Sequence, residues 1–186
     1  MESFLDRYRQ EIQAALHSVP DRAILAAVEA LRQAHMCKAT VFVLCPPDAG
    51  ECVDRFARQL YQCASAGLFG FRVVRISAGA AQFTPWQNEW TLEDAYLQHL
   101  HGAVKQGDVT VAFSHGQHDD ALARALQVSR QAGASAIAIS TDQSTVLAQA
   151  ADISLQVSQA APEQLEAIQG VLAGLLCSAL RKAAGG

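Results

Sequence analysis

The residues best placed to do chemistry stand together in Gly107 to Leu126, GDVTVAFSHGQHDDALARAL, where an apolar strand-like run gives way to Ser114, His115, Gly116, Gln117 and His118 and then to helical spacing. In an α/β sheet a ligand meets such a turn, because strand ends open there onto a helix N-terminus whose free N–H groups and dipole attract anions. Asp119 and Asp120 stand at that same N-terminus. They can satisfy the free donors themselves, and each would repel a bound anion by about 1 kcal/mol per unit pair even at the dielectric constant of water. His115 and His118 with the two aspartates also form a donor set that zinc or nickel accepts. An HxxH pair presents both rings on one face only where the backbone is already helical, and no third ligand follows at a recognisable spacing. A capped, solvated turn is therefore the reading, with no metal site and no cofactor implied.

Ser140, Thr141, Asp142, Gln143 and Ser144 make a second polar strand-to-helix turn, whose hydroxyls either contact a ligand or cap the following short helix. Phe83, Trp86, Trp90 and Tyr96 concentrate aromatic character ahead of the third strand. Core and subunit packing is the favoured reading for them, a ligand or partner surface the alternative.

Composition narrows what these turns can serve. The chain has 186 residues, enough to bury a sizeable core in one domain, with 51% hydrophobic and 17% charged residues. No apolar run is long enough to span a bilayer, and the charged start MESFLDRYRQ is not of the signal-peptide kind, so we expect a cytoplasmic protein without membrane association. The net charge of −4 and the lack of any Lys/Arg block argue against direct nucleic-acid binding. Cys37, Cys45, Cys52, Cys63 and Cys177 contain no CxxC pair and read as reduced, mostly buried residues.

The elements that must position the turns follow from periodicity. Ser3–His17 and Asp21–His35 carry apolar residues at helical spacing, with Pro20 between them. Ala39–Leu44 is a β-branched run fit for a strand buried on both faces. A helix over Cys52–Ala66, a strand over Phe71–Ile76 and a helix from Leu92 to Val104 come next. Asp108–Phe113, Ala134–Ile139 and Asp152–Val157 read as strands, separated by helices over Asp120–Gln131 and Gln143–Ala150. Glu163–Lys182 is a strongly apolar last helix. Strands alternating with helices predict a three-layer, doubly wound, five-stranded parallel sheet with extra N-terminal helices and a long C-terminal helix. One domain over 1–186 is expected, with a helical pair at 1–37 and the α/β core and last helix at 38–186. The surplus of helix at both ends predicts that the terminal helices pack together and across a subunit boundary, giving a homodimer or homotetramer; the alternative is that they only cover their own sheet.

This order of elements resembles the SIS (sugar isomerase) domain, in particular its phosphoheptose isomerase subfamily. The resemblance spans nearly the whole chain and is clearest in ISAGAAQFTPWQNEWTLEDAYLQHLHGAVKQGDVTVAFSHG, ALQVSRQAGASAIAIS and AADISLQV. It implies two sugar-phosphate loops. The first, Cys-Gly-Asn-Gly-Gly-Ser in the family, is here Cys45, Pro46, Pro47, Asp48, Ala49 and Gly50. Proline has no N–H to give, so a rigid turn replaces a glycine cradle. The second, a Ser/Thr-rich loop, is here Ser114 to His118, apparently one residue shorter, where Ser114, backbone N–H groups and a protonated His115 or His118 can still receive phosphate.

Aldose–ketose isomerisation needs an acid and a base. The family's glutamate sits in a Phe-Ala-Glu-Glu-Leu context that reads Phe56, Ala57, Arg58, Gln59, Leu60 in this chain, and its last-helix histidine is replaced by Gly174 or a neighbour. The resemblance thus implies a phosphosugar isomerase-like protein lacking isomerase activity and serving as a sugar-phosphate-binding or protein-interaction module. Its candidate ligand residues are Ser114, His115, Gly116, Gln117, His118, Ser140, Thr141, Asp48 and Glu51, with no catalytic residue assigned. One alternative is an active ketose/aldose phosphate isomerase of the sedoheptulose 7-phosphate type, using replacements such as Glu51, Asp48 or His115. Another is an adaptor with a protein partner, similar to the SIS protein that binds the bacterial replication initiator.

Overall fold

The computed structural model describes residues 2–46, 50–63, 70–77, 92–116, 119–158 and 160–184. Helices α1 (Glu2–Ser18) and α2 (Asp21–Met36) precede β1 (Thr40–Cys45), α3 (Gly50–Gln62) and β2 (Arg72–Ser77). They are followed by α4 (Leu92–Leu100), β3 (Val109–Phe113), α5 (Asp119–Gln131), β4 (Ser135–Thr141), α6 (Thr145–Ala150), β5 (Ile153–Val157) and α7 (Pro162–Ala184). The five strands form one sheet in the order β2-β1-β3-β4-β5. Every pairing is parallel, in register from Thr40 opposite Arg72 at one edge to Thr141 opposite Val157 at the other. This is the expected three-layer, doubly wound architecture.

Side-chain alternation along the strands sorts the core into two halves of different texture. Val41, Val43, Val109, Val111, Phe113, Ile137 and Ile139 face α1, α2, α3 and α7, where Leu31, Phe56, Leu60, Ile168, Leu172 and Leu176 meet them. The opposite face of the central strands carries smaller residues, Ala112, Ala136 and Ala138, under Ala121, Leu122, Ala125 and Leu126 of α5. Small side chains on sheet and helix let α5 lie close to β3. Close approach also lets Thr110 donate to Ser129 at 2.9 Å, with Ser129 passing its own proton to the Ala125 carbonyl at 3.0 Å, all inside the core. The terminal helices pack on each other and on their own sheet, α2 and α1 against α7 and β5. Among the described residues no helix is long and apolar enough to cross a membrane.

Most boundaries move by one or two residues from the sequence reading, and two helices show the larger differences. The helix expected to reach Val104 stops at Leu100, because the chain turns at Gly102, whose φ of +77° lies in the left-handed region. The helix expected from Cys52 starts at Gly50 and its last residue is Gln62. The proposed remainder at 64–66 lies outside the described residues.

At the N-terminal edge of the sheet the buried carboxylate of Asp108 accepts the Thr40 N–H at 2.8 Å and the Lys105 N–H at 2.9 Å. It thereby holds the start of β1 beside the start of β3. Asp152 repeats the device, accepting the Ala136 N–H at 2.9 Å and the Arg130 Nε–H at 2.8 Å. Removing the Asp108 carboxylate orphans two backbone donors in a dry place, where each lost charge-assisted bond costs about 1.5–3 kcal/mol. We expect Asp108→Ala to lower unfolding free energy by about 3 kcal/mol and Asp108→Asn by roughly 2, read from urea midpoints at unchanged slope. A neutral Asp108→Ala would show that these bonds do not hold the sheet edge.

Candidate functional site

The polar turns converge where a doubly wound sheet is expected to bind, at the C-terminal ends of its strands. A cavity of about 500 Å³ lies there, lined by His115 and Gly116 after β3, Asp119 at the start of α5, and Thr141, Asp142, Gln143 and Ser144 after β4. Val157, Ala160 and Leu165 supply its apolar side. The turn into it is shaped by Gly116, whose φ of +89° suits glycine and strains other residues. Its N–H donates to the Ser114 hydroxyl oxygen at 2.9 Å.

Ser114 is fully buried, and its hydroxyl donates to the Asp119 carboxylate. With the Gly116 N–H as donor and Asp119 as acceptor, that hydroxyl is occupied within the protein. Asp119 thus supplies, from the first turn of α5, the negative charge that a helix N-terminus favours. Asp142 adds a second carboxylate to the lining, and none of the described lining residues is a lysine or arginine. His115 is the lining group able to become cationic; its Nε2 is buried without a hydrogen-bond partner among the described residues. Thr141 Oγ1 and Ser144 Oγ lie 3.2 Å apart and share a hydrogen bond. Ser144, at the N-cap of α6, makes no capping bond through its side chain, so capping does not account for this hydroxyl.

The residues singled out in the sequence therefore separate. His115, Gly116 and Thr141 line the cavity. Ser114 and Ser140 are fully buried behind it, Ser140 leaning on the Thr141 carbonyl at 3.4 Å. Glu51 is exposed in the first turn of α3 and is not part of the lining. Asp48, Gln117 and His118 lie outside the described residues, as do Phe83, Trp86 and Trp90. Tyr96 is fully buried and donates its phenol proton to the Cys45 carbonyl at 2.7 Å, a core role for that aromatic. Among the described residues no three His, Cys, Asp or Glu side chains come together as a metal-binding group.

One supporting residue gave no sequence signal beyond being polar on an apolar helix. Gln169 of α7 is fully buried and donates through Nε2 to the carbonyls of Ser114 at 2.7 Å and Ile139 at 3.4 Å. It fixes the ends of β3 and β4, on which the cavity is built.

Further along α7, Gly174, which with its neighbours stands for the family's histidine, lies opposite Gln59, which with Arg58 stands for its glutamate. A Cβ at Gly174 would stand 4.0 Å from Nε2 of Gln59 on α3. The Gln59 Oε1 is buried there without a partner among the described residues. A glutamine amide does not act as a general acid or base near neutral pH, and glycine has no side-chain group that could.

No curated protein sequence matches the chain. Among solved structures, a phosphoheptose isomerase from Francisella tularensis superposes with a TM-score of 0.82 at 15% identity, covering 97% of each chain. The sugar isomerase domain of an RpiR transcription factor from Sphaerobacter thermophilus gives 0.60 at 18% identity, over 99% of this chain and 94% of that one. The Vibrio vulnificus NanR protein complexed with ManNAc-6P gives 0.64 at 13% identity, over 98% of this chain and 66% of that one. At such identities these are likenesses of fold. The model of the SIS domain matches residues 84–179, just over half of the sequence and the part that builds β3, β4, β5 and most of α7, and so the chain belongs to the SIS domain family.

Proposed function

We propose that this chain is a phosphosugar isomerase-like binding module that does not isomerise sugar phosphates, and that its ligand cavity is the one at the ends of β3, β4 and β5. The observation that carries this is Gln59, its Oε1 buried and its amide turned toward Gly174 of α7, since neither it nor the neighbouring Arg58 can serve as the base that the reaction needs. Support for a carbohydrate ligand comes from the hydroxyl, amide and imidazole groups of Thr141, Gln143, Ser144 and His115 around the cavity. The NanR protein, similar in fold, is complexed with ManNAc-6P, which supports a sugar phosphate as the class to test first. Asp119 weakens any phosphate at this place, since its carboxylate already takes the Ser114 hydroxyl.

A second reading, compatible with the first, is self-assembly. Phe4, Leu5 and Tyr8 on α1, Leu25 on α2, and Val171 and Leu175 on α7 are exposed apolar residues, on the layer of terminal helices that packs against the sheet. Residues of this kind are more costly in water than in a subunit contact. We propose a homodimer or homotetramer formed through this layer.

Incubated with sedoheptulose 7-phosphate, the purified protein is expected to leave the sugar unchanged over hours. Turnover at enzyme-like rates would refute the binding-module reading, and Glu51→Gln and His115→Ala would then identify the groups responsible. In calorimetric titration with a panel of sugar phosphates, Asp119→Asn is expected to bind about five- to tenfold more tightly than the parent chain, from relief of roughly 1 kcal/mol or more of repulsion. Weaker binding in that variant would mean that Asp119 holds the ligand rather than occupying its place. Size-exclusion chromatography with light scattering should give a dimer or tetramer that Val171→Glu with Leu175→Glu converts to monomer; a monomeric parent chain would remove the assembly reading.

A further inference from the structure

A pair of cysteines lies between α3 and α7, about one turn beyond Gln59 and Gly174. Cys63 follows directly after α3, and Cys177 sits on α7, both almost completely buried. The Cys63 thiol donates to the Cys177 carbonyl at 3.7 Å, which sets its sulfur against Cys177 across 114 residues of sequence. The Arg181 guanidinium, one turn along α7 from Cys177, donates to the Ser178 hydroxyl at 3.2 Å, and its charge acts on the Cys63 thiol. A small cavity of about 220 Å³ opens beside Cys63, lined by Arg32, His35, Met36, Phe71 and Leu180. Its volume exceeds the roughly 30 Å³ that a water molecule occupies, so a hydroperoxide of comparable size fits against the sulfur. Here, then, a thiol, a second cysteine in contact with it, a cationic charge and a space for a small oxidant come together.

We propose that Cys63 and Cys177 form an oxidation site, in which Cys63 is the thiol that a hydroperoxide oxidises first and Cys177 resolves it to a disulfide joining α3 to α7.

The chemistry balances between the two thiols and one hydroperoxide. The Cys63 thiolate attacks one peroxide oxygen, the O–O bond breaks, and the departing oxygen takes up a proton, leaving Cys63 as a sulfenic acid. The Cys177 sulfur then attacks the Cys63 sulfur. The S–S bond forms as the S–O bond breaks, and the hydroxide leaves as water with the proton from Cys177. Two sulfurs are oxidised by one electron each, and the peroxide is reduced by two.

The order of events follows from the environment of each sulfur. Its hydrogen bond from Cys177, opposed by burial and helped by the Arg181 charge, brings the Cys63 thiol down to about 7. Cys177 is held protonated chiefly by its bond to Cys63, and secondarily by burial. Oxidation of Cys63 removes the first of these restraints and frees Cys177 to attack. Cys52, in contrast, is pushed up to about 12 mainly by burial and then by the Glu166 charge, so it remains an inert thiol. Of the described groups near the pair, Arg32 and His35 of α2 line the cavity and Arg181 of α7 acts on Cys63, while the Glu29 carboxylate pairs with Arg32 at 2.7 Å. Closing the bond requires the sulfurs to approach to about 2.05 Å, a movement made easier because Cys63 lies beyond the last residue of α3.

The test uses the full chain carrying Cys37→Ser, which removes the exposed thiol and with it intermolecular disulfides. After stoichiometric hydrogen peroxide under native conditions, non-reducing peptide mass analysis is expected to find the Cys63 and Cys177 peptides linked, two hydrogens lighter than their sum. Reductant should restore them, and Cys45 and Cys52 should be recovered as free thiols throughout. In the additional variant Cys177→Ser, Cys63 should instead be trapped by dimedone as the sulfenic acid adduct. The proposal is overturned if Cys63 and Cys177 are both recovered as thiols at a peroxide dose that oxidises Cys37 in the parent chain. It is equally overturned if Cys63 passes to sulfinic acid while Cys177 stays free.

Discussion

A parallel sheet covered on both faces leaves its strand ends with a problem that helices do not solve: the N-terminal ends present N–H groups and the C-terminal ends carbonyls, and each must find a partner in a dry place. The protein answers with side chains of opposite kind at opposite ends. At the N-terminal edge the partners are acceptors, Asp108 for Thr40 and Lys105, Asp152 for Ala136. At the C-terminal edge they are donors, Gln169 for Ser114 and Ile139, Tyr96 for Cys45. Four side chains thus tie β1, β3, β4 and their loops, and all four come from outside the strand they hold. The rest of the fold, helices α1 to α7 included, depends on a sheet whose ends are closed in this way.

That division also decides where chemistry can occur. Carboxylates finish the N-terminal edge, whereas the C-terminal edge meets the start of α5, with its unsatisfied N–H groups and positive dipole end. A site for an anion would form there by default. In this chain Asp119 takes up that position and closes on the Ser114 hydroxyl, so the feature that would draw a phosphate is met from within. What remains open is a cavity with hydroxyl, amide and imidazole groups and two carboxylates, a set suited to hydroxyl-rich ligands through hydrogen bonds. Specificity in such a cavity rests on the geometry of neutral donors and acceptors more than on charge.

The fold was legible in the sequence because burial on both faces forces continuous apolar runs, as in TVFVL and AIAIS, and because helices of one layer keep a 3.6-residue period. The end of α4 was less so, since Leu100 and Val104 keep the period while the backbone has already turned at Gly102. Within the site, the two turns were visible as clusters of polar residues after strands, and His115, Gly116 and Thr141 do meet at one cavity. Local sequence could not show which hydroxyls face inward. Ser114 and Ser140 are the first residues after, or the last but one within, their strands, and pleat and burial turn both away from the cavity. Nor could it show Gln169, whose carbonyl partners lie 55 and 30 residues away.

The contrast between frame and site has a physical origin. The frame asks for apolar residues in alternation, small ones where α5 approaches, and a few polar ties at strand ends. Many sequences meet those demands, and a closely similar fold therefore persists at low identity. A reaction asks for particular groups within tenths of an ångström, and one substitution removes it without disturbing the frame. Gln59 illustrates the point: an exchange of glutamate for glutamine keeps nearly the same shape, and beside Gly174 such an amide lets α3 and α7 pack. Packing tolerates the exchange because shape is kept; proton transfer does not, because the titratable group is gone.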